Sequence, residues 1–457
     1  GEVIATEATT DLCNIMLKDS AHIQESEAEW QNRKAKRAGK GEVEPLYKME
    51  DAEGILTHFL SWSYGEKREL TPGITLRFTD VGHLLGSAAI EVWIQEGETS
   101  RKIVFSGDIG NKRKPLIRDP LYIDEADYVV MECTYGDRLH DPVPDHASIL
   151  ASIVQETLDR GGNVVIPAFA VGRTQELLYI FRKIKADHMV TGHDNFEVYV
   201  DSPLAVEATN VFKENLSDCY DQETKELVMK GINPISFPGL KLSVTSEESK
   251  NINFDMKPKV IISAAGMCDA GRIRHHLKHN LWRKECTIVF TGYQSVGTLG
   301  RSLLEGAKEV RLFGETIHVE AHLEKMDGMS SHADRDGLTE WLQAIKSKPK
   351  QVFLVHGDDQ SCQSYQALLQ GTYGYQVSAP YSGSVFDLKE GIWLEIAEAV
   401  LLDKEKEPAR KAQGVYGRLM AAGERLLQVI RNNQGGANKD LARFADQINS
   451  LCDKWDR

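Results

Sequence analysis

Apolar positions recur at helical spacing over residues 8–37 and predict one long amphipathic helix there. The period then drops to two: alternating apolar residues, Ile74, Leu76 and Phe78 among them, predict strands over residues 74–80, 89–95, 102–106 and 128–133. From about Asp145 short, continuously apolar runs alternate with helical stretches. Strand 163–169 leads to helix 173–186, strand 196–201 to helix 203–216, strand 259–264 to helix 270–280, and strand 287–292 to another helix. Strands apolar on both faces and separated by helices indicate a buried parallel sheet. After about Gly328 comes a smaller α/β piece with strand 351–356 and a helix behind it. Residues 402–457 lack strand signals and read as two helices broken at Gly435 and Gly436.

A chain of 457 residues is too long for one core, so two or three domains are expected. Its 41% hydrophobic and 27% charged residues describe an ordinary soluble protein. No apolar run approaches the ~20 residues of a membrane span, and no signal-peptide pattern opens the sequence. The seven cysteines form no CxxC pair and are odd in number, which predicts reduced thiols in a cytoplasmic setting and argues against a thiolate zinc site. A net charge of −14 disfavours non-specific coating of a polyanion. Three basic clusters leave room for a local groove: Arg33, Lys34, Lys36, Arg37 and Lys40; Lys112, Arg113, Lys114 and Arg118; and Arg272, Arg274, Lys278, Arg283 and Lys284.

Four polar residues end predicted strands and open into Gly- or Ser-flanked turns: His83 in VGHLLGSA, Asp108 in VFSGDIG, His332 in SSHAD and His356 in FLVHGD. Strand ends hold side chains rigidly at a sheet edge, and imidazole and carboxylate are the ligands of catalytic zinc. His83 and Asp108 precede the strand–helix block, whereas His332 and His356 follow it. If all four serve one site, the block is an insertion and the site lies in a cleft between two domains.

VGHLLGSAAIEV, FSGDIG, MECTYGD, SSHAD and FLVHGD, in this order, resemble the later motifs of the β-CASP branch of the metallo-β-lactamase fold, a branch of RNA-processing nucleases. The resemblance covers roughly residues 1–395. It implies an α/β fold in which a metallo-β-lactamase αββα sandwich, N-terminally incomplete, is interrupted by a β-CASP parallel-sheet domain. The implied boundaries are residues 1–142 for the first part, 143–328 for the insertion, 329–400 for the return segment with its RNA-specificity region, and 401–457 for C-terminal helices. It also implies metal ligands at His83, Asp108 and His356, with Asp108 bridging two Zn²⁺ ions (Mn²⁺ being an alternative). Glu132 matches the acidic residue that holds His332, the proton donor to the leaving group. The substrate implied is single-stranded RNA, cut by a two-metal mechanism. Arg173 in FAVGRTQELL, and Ser263, Gly266 and Arg272 in SAAGMCDAGRIRHH, open helices whose N-termini suit phosphate, and these segments resemble those lining the family's RNA groove.

One departure stands out. The family's HxHxDH motif, which supplies four further ligands, is absent; His275, His276 and His279 are expected on the surface or facing phosphate, and His318 and His322 to be structural. GEVIATEATTDLCNIMLKDSA resembles the segment that follows HxHxDH, so the sequence reads as starting after it. Three ligands are too few for two zincs, so weak metal binding, poor cleavage and an exposed sheet edge are expected of this chain alone. A catalytically silent RNA-binding scaffold and a metallo-hydrolase of a small ester are the alternative functions. The apolar stripe Leu419, Leu426, Leu427 and Ile430, continued by Leu441, Phe444, Ile448 and Leu451, suggests a homodimer through the C-terminal helices.

Overall fold

Two sheets organise the main body of the chain, seen in a computed structural model. Residues 1–38, 43–141, 144–215, 219–400 and 438–455 are described, together with positions 423, 426, 427, 429 and 430. The first sheet has seven strands, in the order Val377–Ser378, Gln351–Val355, Tyr128–Glu132, Thr99–Phe105, Ala88–Glu96, Ile74–Asp80 and Arg68–Thr71. The first four pair in parallel and the rest antiparallel. The return segment thus completes a sheet begun more than 200 residues earlier, as the insertion reading requires. Its core joins Val104, Val129 and Met131 to Leu338 and Trp341 of helix Arg335–Gln343 and Tyr365 of helix Asp359–Gly371.

The second sheet is all parallel, in the order Leu240–Ser243, Val198–Asp201, Val260–Ser263, Val164–Pro167, Thr287–Phe290 and His322–Lys325. Its three central strands are buried at every position, because helices cover both faces. A separate parallel pair, Val3–Thr6 with Phe59–Trp62, has no further strand beside it among the described residues. Helix Glu7–Ala38 matches the predicted long helix. A second unit comprises residues 25–46 and 398–457; within it the Asn32 side-chain amide exchanges two hydrogen bonds with the backbone of Val43 (2.7 and 2.9 Å), and residues Asn438–Trp455 are helical. The predicted break at Gly435 and Gly436, and Leu419, fall outside the described residues.

Two expectations are corrected. His332 does not end a strand: it lies in the loop before helix Arg335–Gln343, held by an isolated antiparallel bridge to Gly110. His276 is neither on the surface nor facing phosphate; it is fully buried and gives Nε2 to Asp201 Oδ2 (2.6 Å), with Nδ1 2.9 Å from Asn253 Oδ1. Helix Ile273–Asn280 begins three residues later than expected, and His276 lies on its buried face with Ile273, Leu277 and Asn280.

Asp201, the last residue of its strand, is the polar hub of the inserted sheet. Its buried carboxylate accepts hydrogen bonds from Ser243 (2.8 Å), Ser249 (2.5 Å), Arg272 (2.7 Å) and His276 (2.6 Å). Burial alone would push its pKa up, but these donors hold it down at about 2. Its contribution to stability is therefore in place above pH ~4 and is lost as the pH falls toward about 2. Asp201→Asn strands Arg272 and His276, and we expect it to cost about 3–5 kcal/mol in urea denaturation at neutral pH. A loss below about 1 kcal/mol would contradict the role given to this carboxylate.

Candidate metal centre

Glycine lets two turns meet backbone to backbone under the candidate site. The Gly110 N–H donates to Val81 O (2.7 Å), and a Cβ at residue 110 would lie 2.1 Å from Gly82 O, inside any allowed contact. The turns carrying His83 and Asp108 are thereby locked together. Glu132 enters from the next strand and His356 from the one beyond; Glu132 pairs with Val355 in parallel register. His356 leaves its strand with φ of 51°, an uncommon left-handed conformation, and its ring stacks on that of His332 at a centroid distance of 5.8 Å.

All five predicted residues converge. Asp108, Glu132, His332 and His356 each offer a ligand atom within 4.8 Å of the others. The two oxygens of Asp108 face different imidazoles: Oδ2 lies 3.8 Å from His83 Nε2, and Oδ1 lies 3.4 Å from His356 Nδ1. The His83 ring centroid is 4.4 Å from that of His332, and the buried His83 Nδ1 has no hydrogen-bond partner. Burial first, then the neighbouring His332, lowers the His83 pKa to about 4, so its imidazole is neutral at physiological pH, as metal ligation requires.

Glu132 is almost fully buried. It accepts hydrogen bonds from Ile109 N–H (2.5 Å) and Thr134 N–H (3.4 Å), and both its oxygens lie 3.1–3.2 Å from His332 Nδ1. Burial alone would lower the His332 pKa; the hydrogen bond and charge of Glu132 outweigh it, and the pKa is raised. Sequence reasoning missed the supporting groups around these rings. Thr134 Oγ1 lies 3.0 Å from His356 Nδ1, His140 Nε2 lies 2.9 Å from His332 O, and Tyr135 packs edge-on to both His140 and His332. Thr134 and Tyr135 stand inside the MECTYGD motif, where the acid alone had drawn attention.

The predicted substrate residues are drawn into structural pairs. Arg173 donates to Met329 O and sits 3.0 Å from buried Glu176, whose other oxygen binds Lys114 (2.8 Å). Lys114 in turn reaches Ser331 Oγ (2.8 Å) and His83 O (3.4 Å), so this chain of charges ends against the loops of the candidate site. Arg272 and Ser263 instead join Asp201, through its carboxylate (2.7 Å) and its carbonyl (2.8 Å). Gly266 lies against Phe169, whose ring a Cβ would approach to 3.3 Å. Arg118 and Lys278 likewise pair with Asp80 (3.0 Å) and Glu315 (2.7 Å). His318 ends one strand and His322 begins another, both exposed.

The Beta-Casp domain model matches residues 174–303, and that of the Zn-dependent metallo-hydrolase RNA specificity domain matches residues 316–380. The chain is 35% identical over 371 residues to ribonuclease TTHA0252 of Thermus thermophilus, covering 81% of this chain and 78% of that protein. It is 30% identical to an RNase J-like protein of Methanocaldococcus jannaschii, covering 75% and 77%. With transcription termination factor FttA of Thermococcus kodakarensis it shares 28% identity over 85% of this chain, yet spans only 58% of that longer protein. Motif order, the parallel-sheet insertion, the convergent acid and histidine cluster and these similarities agree: the chain belongs to the β-CASP family of metallo-β-lactamase-fold nucleases.

Proposed function

We propose that this chain carries the catalytic core of a divalent-metal-dependent ribonuclease that hydrolyses phosphodiester bonds of single-stranded RNA. The observation that carries this reading is Asp108, with one oxygen toward His83 and the other toward His356. A carboxylate so placed can serve two cations at once, and the mixed nitrogen and oxygen donors suit Zn²⁺, with Mn²⁺ next. His83, through Nε2, and His356, through Nδ1, would each hold one side. The metal, when bound, supplies Lewis acidity toward the phosphate and an activated water.

The chain's own part is proton delivery. Glu132 occupies His332 Nδ1, which leaves Nε2 as the atom that gives its proton to the departing oxygen. Residues 143–328 would form the clamp for the polymer, which a small-ester hydrolase does not need. No described helix is long and apolar enough to cross a membrane, and a cytoplasmic setting suits an RNA substrate. The names of the two ribonuclease relatives support the same substrate.

Labelled single-stranded RNA incubated with the intact protein and Zn²⁺ or Mn²⁺ should be cleaved. Asp108→Ala and His356→Ala should each lower the rate by at least about 10²-fold. Cleavage equal to that of the unaltered protein would end the metal mechanism, and RNA binding without metal-dependent cleavage would favour a silent scaffold.

The Glu132–His332 pair makes a separate prediction, in metal-free protein. His332 is protonated to higher pH than an ordinary histidine because Glu132 favours the imidazolium. In Glu132→Gln, burial and Lys114 are opposed only by the charge of Asp108, so the imidazole should titrate at lower pH than in the unaltered protein in NMR spectra. An unchanged midpoint would show that the carboxylate does not hold the proton.

Homodimerisation belongs to this proposal through Leu441, Phe444 and Ile448, which are only partly covered on helix Asn438–Trp455. Light scattering should give twice the chain mass, falling to the monomer when residues 402–457 are deleted; a monomer mass for the undeleted chain would refute it.

A further inference from the structure

Beneath the turn that carries His356 lie two sulfurs with no part in the proposed reaction. Cys133 and Cys362 are free thiols, 229 residues apart in sequence, whose Sγ atoms stand 3.0 Å from each other. Cys133 follows Glu132 directly, and Cys362 lies in the first turn of helix Asp359–Gly371. Residues 355–358 pass over the pair: Cys133 Sγ is 3.4 Å from Val355 O, Cys362 Sγ is 3.5 Å from Gly357 O, and the Cys133 N–H donates to His356 O at 3.4 Å. Residue 357 must be glycine here, because a Cβ would lie 2.7 Å from Cys133 Sγ and 2.8 Å from Cys133 O. Both are buried, Cys133 completely and Cys362 to 9% exposure, which makes Cys362 the less buried of the two.

We propose that Cys133 and Cys362 form an oxidation site that takes a small-molecule disulfide as co-reactant and closes to an intramolecular disulfide. The Cys362 sulfur displaces one half of the reagent as a thiol and forms a mixed disulfide. The Cys133 sulfur then attacks Cys362 Sγ and expels the second half. The two protein thiols lose two protons and two electrons, and one reagent disulfide becomes two thiols. Bond formation shortens the sulfur separation from 3.0 Å to about 2.05 Å. The shift falls on the residue after Glu132 and on the helix that follows the His356 turn. A displacement of that size is enough to loosen a centre that needs its ligands held within about 0.5 Å. Oxidation therefore weakens metal binding, a consequence that rests on the metal centre proposed above.

The test begins with fully reduced chain treated with oxidised glutathione, blocked with iodoacetamide and mapped by mass spectrometry. Titratable thiols in denaturant should fall from seven to five, and one cross-linked peptide pair should contain Cys133 and Cys362. A phosphine reductant should restore all seven, and neither Cys133→Ser nor Cys362→Ser should form the cross-link. A constant thiol count, a lasting glutathione adduct on Cys362, or cross-links scattered over other cysteines would overturn the site. Calorimetry with Zn²⁺ should then show at least tenfold weaker binding in the oxidised chain, recovered on reduction. Equal affinity in both states would overturn the coupling. Zinc binding absent from both states would instead count against the metal centre, while the peptide map would still decide the cross-link.

Discussion

The parallel pairing of Tyr128–Glu132 with Gln351–Val355 is the constraint on which the rest of the site depends. It closes the sheet across the insertion and sets Glu132 opposite Val355, so that the next residue of the returning strand is His356. Side chains alternate along a strand, so a slip of one residue would turn Glu132 away from His332. What resists such a slip is burial. Val129 and Met131 face one core, while Tyr128 faces the opposite aromatic cluster with Phe353, Phe386 and Trp393. Register, and with it the chemistry, is fixed by apolar side chains that never touch a substrate.

Given that frame, the buried charges follow one rule: each carboxylate taken out of water is met by specific donors. Glu132 has His332 and two backbone amides, Glu176 has Lys114 and Arg173, Asp201 has Arg272, His276 and two serines, and Glu91 has Arg77, Lys102 and Thr79. For Glu176 and Asp201 these partners overcome burial and keep the pKa low. The Glu176 network spans helix Arg173–Ala186 and the loops beside His83 and His332. It ties the inserted block to the reacting groups through charge as well as through the chain.

Much of this was legible in the sequence, and the rest was hidden for identifiable reasons. The strands Ile74–Asp80 and Gln351–Val355 and the helix Arg173–Ala186 announce themselves by period and by a glycine at the turn before the helix. Strand Leu240–Ser243 escaped because it is a short edge strand with a charged residue in its middle and little of it buried. Hairpin Glu309–Leu312 with Glu315–His318 escaped because its outward residues are charged. The residues of the candidate metal site could be found because motif order and, for all but His332, nearby strand ends point to them. The fates of Arg173 and Arg272 could not, since a sequence shows a cation but not the buried carboxylate waiting several strands away. His276 shows the same blindness: three histidines on one helix look alike until packing turns one of them inward.

Separation along the chain has a consequence for how the site forms. Glu132 and His332 are 200 residues apart, and Thr134 and His356 are 222 apart. No local segment can bring these groups together, so the cluster exists only once the whole insertion has folded and the return strand has paired. An unfolded chain offers the same imidazoles and carboxylates singly and binds a cation far less well. Any metal free energy gained by the folded cluster therefore adds to the stability of the returning strand and of the Glu132–Val355 register. The same reasoning makes the proposed metal centre the most sensitive reporter of that register. A cation held by residues from both sides of the insertion registers small movements between them long before the apolar cores, which tolerate fractions of an ångström, give way.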